Sequence, residues 1–204
     1  MIAHAASTQL PACPPEGDAA AAATRAATEQ ALRLEAIVRQ NHAFLWRSLR
    51  RLGVPERDTD DGVQRVLAVL ARRVAEVTPG KERSFLFQTA LRVAAELRRA
   101  TARGRLAFDD ATVAAAADTG MLPDEAIEQR QARALLDAVL DELPLDVRAV
   151  FVLFELEQMT TAEIAAFLSL PAGTVSSRLR RGREEFQAIA KRLRAQRAFA
   201  GGAT

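Results

Sequence analysis

The sequence predicts an all-α protein built from two small helical domains that a flexible linker joins. Apolar residues recur three and four positions apart through most of the chain, which is the spacing of an amphipathic helix. Glycine (10) and proline (8) are few among the 204 residues, and β-branched residues form only short runs, a composition that favours helices over strands. Residues 106–126 interrupt this periodicity, because they are rich in alanine and acidic residues and contain Gly120 and Pro123. We therefore expect a flexible acidic linker there, with a helical domain on either side.

The first 27 residues are rich in alanine, proline and threonine and have no amphipathic repeat, so they predict a disordered tail. The tail contains Cys13, the only cysteine, which excludes a disulfide framework and leaves a surface thiol as the expectation. No apolar run is long enough to span a membrane, and the start of the chain lacks the pattern of a secretory signal. We therefore expect a cytoplasmic protein.

The first domain, residues 28–105, is predicted to contain three helices. They extend over about 28–52, from 56 or 58 to 77, and over about 82–105, each with one apolar face. Gly53 and Pro55 are typical of a helix end, and residues 78–81 (Thr-Pro-Gly-Lys) predict a turn. We expect Trp46 to anchor the core and His42 to lie near the surface, since no second His or Cys that would share a metal lies near it.

Charge is distributed unevenly, although the formal net charge is only +2. The linker carries five acidic residues and no basic one. Residues 92–105 carry five arginines against one glutamate, and residues 171–197 carry eight basic residues against two glutamates. Two separate cationic helical faces predict contact with nucleic-acid phosphates.

The second domain, residues 127–197, contains the pattern of a helix-turn-helix before a tail at residues 198–204. Thr160 and Glu163 have the spacing of a capping box at the start of the first helix. Residues 169–171 (Ser-Leu-Pro) predict a tight turn, since proline suits the first position of the next helix. Gly173 is expected to allow a close approach of backbone. We expect two short helices around this turn, with Val175 and Leu179 facing inward.

Small hydroxyl residues and arginines remain on the outward face of the second helix. Such a face suits insertion into a DNA major groove, where arginine contacts phosphates or guanine edges and serine or threonine contacts either bases or backbone. A plain helical hairpin has the same spacing, but the excess of basic residues favours DNA binding. The predicted DNA-binding residues are Thr174, Ser176, Ser177, Arg178, Arg180, Arg181 and Arg183.

The segment LPAGTVSSRLRRGREEF resembles the −35 promoter-binding helix of extracytoplasmic-function (ECF) sigma factors. That family has the pattern Pro-x-Gly-Thr-Val-x-Ser-Arg-Leu-x-Arg-(Ala/Gly)-Arg. The upstream stretch LDELPLDVRAVFVL resembles the opening of the same domain, with Leu143, Pro144 and Arg148 in place. The resemblance implies that residues 127–197 are sigma region 4 and contact the −35 element.

The first domain also resembles a part of these sigma factors, their region 2. TDDGVQRVLAVL is similar to the family's Ala-Glu-Asp-Leu-Val-Gln-Glu-Val-Phe motif, with Gly62 in place of the usual leucine. In the family this helix docks on the largest subunit of RNA polymerase. The core polymerase-binding residues that the resemblance implies are Asp60, Asp61, Gln64 and Arg65.

The third predicted helix, SFLFQTALRVAAELRR, resembles the family's helix for −10 recognition and strand opening. It departs from the pattern at Phe85, where the family has tryptophan, at Arg92, where it has asparagine, and at Glu96, where it has aspartate. Because the chain has no tyrosine, base stacking during strand opening would use Phe85 or Phe87, or no aromatic ring at all. The residues implied for −10 and single-strand binding are Phe85, Phe87, Arg92, Arg98 and Arg99.

Together these features predict a sigma factor that binds core RNA polymerase and promoter DNA, with an anti-sigma factor as a further partner, and that needs no cofactor or metal. A stand-alone helix-turn-helix repressor or response-regulator output domain is the alternative, and it leaves the Asp60–Gln64 motif and the second basic helix unexplained. Catalytic activity is not expected, because the chain has no phosphate-binding glycine loop, no metal cluster and no activated nucleophile.

Overall fold

The computed structural model describes the backbone of residues 16–107 and 124–201, with side chains from 20 to 103 and from 129 to 196. These ranges contain α-helices and no strand, as the sequence predicts. A 3₁₀ turn at Val74–Glu76 and a π-helical turn at Val152–Leu156 follow two of the helices. The helices are α1 (Glu16–Arg51), α2 (Glu56–Arg73), α3 (Glu82–Ala107), α4 (Asp124–Glu142), α5 (Leu145–Phe151), α6 (Thr161–Leu168) and α7 (Ala172–Gly201).

Helix α1 begins at Glu16, so the prediction of a disordered tail is wrong for residues 16–27. This part of the helix is rich in alanine, the residue with the highest helix propensity, and the hydroxyls of Thr24 and Thr28 donate to carbonyls four residues earlier. Local propensity therefore extends the helix before the apolar stripe starts. Cys13 lies outside the described residues.

Helices α1, α2 and α3 form the first unit around a core to which each contributes buried aliphatic side chains. Gly62 explains how α2 approaches its neighbours, because a Cβ at this position would lie 3.2 Å from Leu49 Cδ1 and 3.3 Å from Leu97 Cδ1. The leucine that the sigma factor motif has here would not fit between α1 and α3 without displacing them. His42 is exposed, as predicted. Trp46 is half-buried and packs on the core, with its indole N–H donating to Asp60.

Helices α4 to α7 form the second unit, which contains the predicted helix-turn-helix as α6 and α7. Helix α7 is 30 residues long rather than short, and it extends through residues 198–201, which were predicted as tail. Its length allows it to pack along both α5 and α4, and the stacked rings of Phe151 and Phe186, 4.9 Å apart, join α7 to the end of α5. The predicted linker lies mainly outside the described residues, since α3 ends at Ala107 and α4 begins at Asp124.

The two units pack against each other through one continuous apolar core, a contact that the sequence did not predict. Phe87 of α3 lies between Phe44 of α1, at 6.3 Å between ring centroids, and Phe167 of α6, at 5.7 Å in an edge-on arrangement. Ile164, Val175 and Leu179 of the second unit belong to the same core.

No described helix is both long and apolar enough to cross a membrane.

Candidate nucleic-acid interface

A capping box fixes the start of α6, as the sequence predicts. The backbone N–H of Thr160 donates to Glu163 Oε2 at 2.8 Å, and the backbone N–H of Glu163 donates to Thr160 Oγ1 at 3.3 Å. The bonds from the Thr160 backbone and hydroxyl lower the pKa of the Glu163 carboxyl, because they stabilise its charged form. Helix α6 therefore begins at a residue that the local sequence determines.

The turn between α6 and α7 depends on one left-handed residue. Ser169 has a φ of 55° and ends α6, after which the N–H of Leu170 donates to Ala165 O at 2.9 Å. The N–H of Thr174 donates to Pro171 O at 2.9 Å and opens α7. This turn directs the first residues of α7 away from α6, as a helix-turn-helix requires.

The close backbone approach that the sequence predicted at Gly173 occurs instead at Gly182 of the same helix. A Cβ at Gly173 would meet open space, so the expectation of a close backbone approach there is wrong. At Gly182, a Cβ would lie 3.1 Å from Val147 Cγ1 and 3.3 Å from Phe151 Cδ2. Gly182 therefore allows α7 to cross α5 at short distance, and buried Val175 and Leu179 continue that inner face.

The outward face of α7 brings the predicted DNA-binding residues together on one surface. Ser176, Ser177, Arg180 and Arg181 are exposed, whereas Thr174 and Arg178 are half-buried. A surface of exposed hydroxyls and guanidinium groups on the first turns of a helix has the chemistry that major-groove recognition uses.

Each arginine of this face has an acidic partner within the chain. Arg180 pairs with Glu184 at 3.0 Å, and Arg181 pairs with Glu185 at 2.8 Å, which raises the pKa of the Arg181 guanidinium. Exposed pairs of this kind are weak, so they leave the two guanidinium groups available to an external anion. Arg178 is held more closely, because it is half-buried and its Nε lies 3.2 Å from Asp146 of α5.

Arg183 has contacts that hold it to the second unit itself. Its Nε donates to Glu155 at 2.8 Å, and its guanidinium lies 4.8 Å from the centre of the Phe154 ring. Both partners belong to the π-helical turn after α5. Arg183 thus also attaches α7 to the rest of the unit, a role that the sequence pattern did not indicate.

A second exposed surface lies on α2, where the residues predicted to bind polymerase share one face. Asp60, Asp61, Gln64 and Arg65 are all exposed. Asp60 Oδ1 accepts a hydrogen bond from Trp46 Nε1 at 3.2 Å, and Arg65 pairs with Asp61 at 2.8 Å. The opposite face of α2 is buried, so packing fixes the orientation of this polar face.

The residues predicted for single-strand binding on α3 do not form one accessible surface. Arg92 and Arg99 are exposed, and Phe85 is half-buried with the Arg73 guanidinium 5.7 Å from its ring centre. Phe87 is fully buried, so no base can stack on it in this arrangement. Arg98 donates to Leu52 O at 3.1 Å and to Asp141 O at 3.2 Å. Phe87 and Arg98 were predicted to contact single-stranded DNA, but in this arrangement they are not available to it. The packing of the two units occupies both side chains.

Arg148 of α5 lies in an environment that the sequence did not indicate. Its side chain is fully buried, and its Nη2 donates to Asp141 Oδ1 at 2.9 Å. Among the described residues, its Nε and Nη1 have no hydrogen-bond partner. Burial, followed by the nearby charge of Arg98, lowers the pKa of Arg148 to about 10. In the sequence, Arg148 stood out only because it matches the stretch that resembles the opening of sigma region 4.

The described residues contain no group of three His, Cys, Asp or Glu side chains that would hold a metal ion.

The comparisons with known proteins agree with the helix-turn-helix geometry. Residues 133–186, which cover the second half of α4, all of α5 and α6 and the first half of α7, match the family model for sigma-70, region 4. The RNA polymerase sigma-E factor of Streptomyces coelicolor is 35% identical over 156 residues, which cover 74% of this chain and 82% of that protein.

The chain belongs to the ECF sigma factor family.

Other relatives extend this match. The ECF RNA polymerase sigma factor SigE of Mycolicibacterium smegmatis is 29% identical over 153 residues, covering 74% of this chain and 59% of that protein. Among solved structures, CnrH in complex with the cytosolic domain of CnrY is 24% identical with a TM-score of 0.54, covering 78% of this chain and 87% of that one. The sigma factor RpoE of Bartonella quintana, in complex with the anti-sigma factor NepR, is 20% identical with a TM-score of 0.50, covering 75% and 96%. These two structures support the all-helical fold. The family to which this sigma factor belongs acts in transcription initiation by RNA polymerase.

Proposed function

We propose that this sigma factor directs promoter-specific initiation by binding core RNA polymerase through α2, the −35 element through α7 and the −10 element through α3. The observation that carries the proposal is the exposed face of α7, where Ser176, Ser177, Arg180 and Arg181 project from a helix whose position the capped α6 and the Gly182 crossing fix. Phosphate contacts supply affinity, and a few side chains at base edges supply sequence choice.

In this proposal Arg178 and Thr174 act at the edge of the same surface. Arg178 is half-buried beside Asp146, so it contacts the DNA backbone close to α5 rather than the centre of the groove. Arg183, held by Glu155, keeps α7 in position and lies beside the phosphates. The face has a hydroxyl-bearing centre with arginines around it, the arrangement of a helix that reads bases and is aligned by phosphate contacts.

Core polymerase binds to the polar face of α2. Asp60, Asp61, Gln64 and Arg65 offer two carboxylates, an amide and a guanidinium on one exposed surface, and of these Asp60 also accepts the Trp46 indole N–H from α1. An anti-sigma factor is a further proposed partner, because the similar RpoE structure holds one. The sigma factor itself supplies binding and no catalytic step.

Run-off transcription with purified core polymerase and genomic fragments tests the DNA surface. The Arg180→Ala/Arg181→Ala variant should lose most promoter-directed transcript, and the log–log salt dependence of holoenzyme binding should become less steep by about two. The matched control is Lys191→Ala/Arg194→Ala, which removes the same charge from exposed positions farther along α7. Equal transcription by the two variants would refute the assigned face.

Co-purification with core polymerase tests the α2 surface separately. Asp61→Ala and Gln64→Ala should each reduce the amount of sigma factor that polymerase retains, since they remove polar contacts without disturbing the buried face. Glu29→Ala changes an exposed carboxylate on α1 and should leave retention unchanged. Unchanged retention of all three variants would place the polymerase interface elsewhere.

A further inference from the structure

A cavity of about 340 Å³ lies where the turn after α1 meets α3 and α4. Its charged lining consists of Arg50 of α1, Arg98 of α3, and Asp137 and Asp141 of α4. Gly53 of the turn also lines it, without a side chain that would fill the space. Both signs of charge therefore border the cavity, and the balance between them decides which class of ligand it can bind.

Arg148 lies beside this cavity at Gly53 and lacks acceptors for part of its guanidinium. Its side chain is fully buried and its Nη2 donates to Asp141, but within the described part of the chain its Nε and Nη1 have no partner. A Cβ at Gly53 would lie 2.0 Å from this Nη1 and 2.5 Å from Nη1 of Arg98, so both nitrogens converge on the one lining residue without a side chain. A buried guanidinium with unsatisfied N–H groups indicates a bound ion or an ordered water that completes its hydrogen bonds.

Positive charge exceeds negative charge around this point. Arg98 donates to the backbone carbonyls of Leu52 and Asp141, which carry no charge to balance its own. Arg50 Nη2 lies 4.0 Å from Asp137 Oδ2, beyond hydrogen-bond distance, and burial raises the pKa of Asp137, which disfavours its charged form. The guanidinium groups of Arg50, Arg98 and Arg148 thus outnumber the two carboxylates, and the surplus favours an anion.

We propose that this cavity binds a phosphate-type oxyanion, which Arg50 and Arg98 contact and which supplies an acceptor to Arg148 beside Gly53. Guanidinium groups bind such anions through paired N–H donors, and an oxyanion can present separate oxygens to two arginines at once, which a chloride ion cannot. The occupant is either free phosphate or the phosphate group of a nucleotide. Arg98 thereby has a role other than the single-strand contact that the sequence pattern predicted.

Nuclear magnetic resonance of the full ¹⁵N-labelled chain tests the site through the Nε–H signals of its arginines. Inorganic phosphate is titrated at constant ionic strength against sodium chloride, and it should shift the Nε–H signal of Arg148 along a saturable curve. A parallel titration uses adenosine monophosphate. Tighter binding of the nucleotide would identify its phosphate group as the occupant, whereas binding of inorganic phosphate alone would identify the free ion.

Charge substitutions in the lining distinguish this cavity from other basic surfaces of the sigma factor. Ala102→Glu places a carboxylate at an exposed residue of the lining and should weaken phosphate binding by about threefold to tenfold. The matched control Ala100→Glu makes the same change at an exposed residue of α3 that points to another side of the helix, so affinity should not change. Asp137→Asn removes a lining carboxylate and should tighten binding by a similar factor. Arg180→Ala/Arg181→Ala should bind phosphate as the unchanged chain does, because both arginines lie outside the cavity.

An Arg148 Nε–H signal that phosphate leaves unchanged would overturn the proposal, and an ordered water would then complete the guanidinium. Equal weakening by Ala100→Glu and Ala102→Glu would overturn it too, since it would show a general effect of charge. Loss of phosphate binding in Arg180→Ala/Arg181→Ala would move the anion to the outward face of α7. These results do not depend on the proposed function, because neither DNA nor polymerase is present.

Discussion

Replacing Gly53 with alanine tests how closely Arg148 is fitted to the turn after α1. Gly53 has a φ of +89°, a backbone conformation that is unfavourable for alanine. A Cβ added at this position would lie 2.0 Å from Arg148 Nη1 and 2.8 Å from Asp141 Oδ1. Gly80 offers a matched control, because its φ is +81° but a Cβ there would have nothing within 4 Å. The pair of variants separates backbone strain from displacement of the buried arginine.

The expected loss of stability is the sum of two contributions, the backbone strain and the displacement of Arg148. The left-handed backbone costs about 1–2 kcal/mol in either variant. Gly53→Ala also forces the guanidinium of Arg148 away from Asp141, and leaving a buried charge without its partner costs up to about 3–5 kcal/mol. Part of this is recovered because the guanidinium is the end of a flexible side chain, so we expect Gly53→Ala to be less stable than Gly80→Ala by about 2–3 kcal/mol. That is a large share of a stability of about 5–15 kcal/mol.

Urea unfolding monitored by circular dichroism measures the difference. With a slope of about 1–3 kcal/mol per molar urea, the midpoint of Gly53→Ala should lie about 1 M below that of Gly80→Ala. In an Arg148→Met background, which removes the nearest of the three clashing atoms, Gly53→Ala should cost less than in the wild-type background, although Arg98 Nη1 at 2.5 Å and Asp141 Oδ1 at 2.8 Å still have to move. Equal midpoints for the two glycine variants would show that Arg148 does not press against this turn, and the reasoning would then be wrong.

Three further predictions concern local features. Thr160→Ala should lower the free energy of unfolding by about 1 kcal/mol through loss of the α6 cap, measured by urea unfolding against Thr161→Ala, one residue past the cap. The pKa of folded Glu163 lies below its unfolded value, so its stabilisation is full above the unfolded pKa and is lost as pH falls through the folded one. Wild type should thus exceed Glu163→Gln in stability at pH 7 and converge with it in acid; a constant difference would contradict this. Gly62→Ala and Gly173→Ala gain the same helix propensity of about 1 kcal/mol, but only Gly62→Ala places a methyl group 3.2 Å from Leu49 and 3.3 Å from Leu97, so Gly62→Ala should be the less stable of the two variants by about 1–3 kcal/mol. Equal stability of the two variants would contradict the packing argument.

Much of the second unit could be predicted from short-range chemistry. The Thr160–Glu163 spacing predicted the start of α6, and the three- and four-residue spacing of Val175 and Leu179 predicted the buried face of α7. These features depend on contacts within one or two helical turns, which the local sequence contains. The polar face of α2 was predictable for the same reason.

Other features depended on residues far apart in the chain. The sequence shows where a glycine lies but not which atoms a Cβ at that position would contact. A close backbone approach was therefore predicted at Gly173, whereas the structure has close approaches at Gly62 and Gly182. Phe87 was predicted as a stacking surface, because nothing near it in sequence indicates that Phe167 covers it. The early start of α1 at Glu16 is a separate case, in which alanine propensity outweighed the absence of an amphipathic repeat.

The sequence by itself determined most of the helical segments, which face of each helix is apolar, and where hydroxyls and arginines gather on α7. Only the tertiary structure decided which apolar face covers which, and hence that α6 packs on α3, that Phe87 and Arg98 are occupied and that Arg148 is buried between the units. The physical reason is that hydrophobic burial is non-directional: periodicity specifies that a face must be removed from water, and the complementary shape of a distant surface selects its partner.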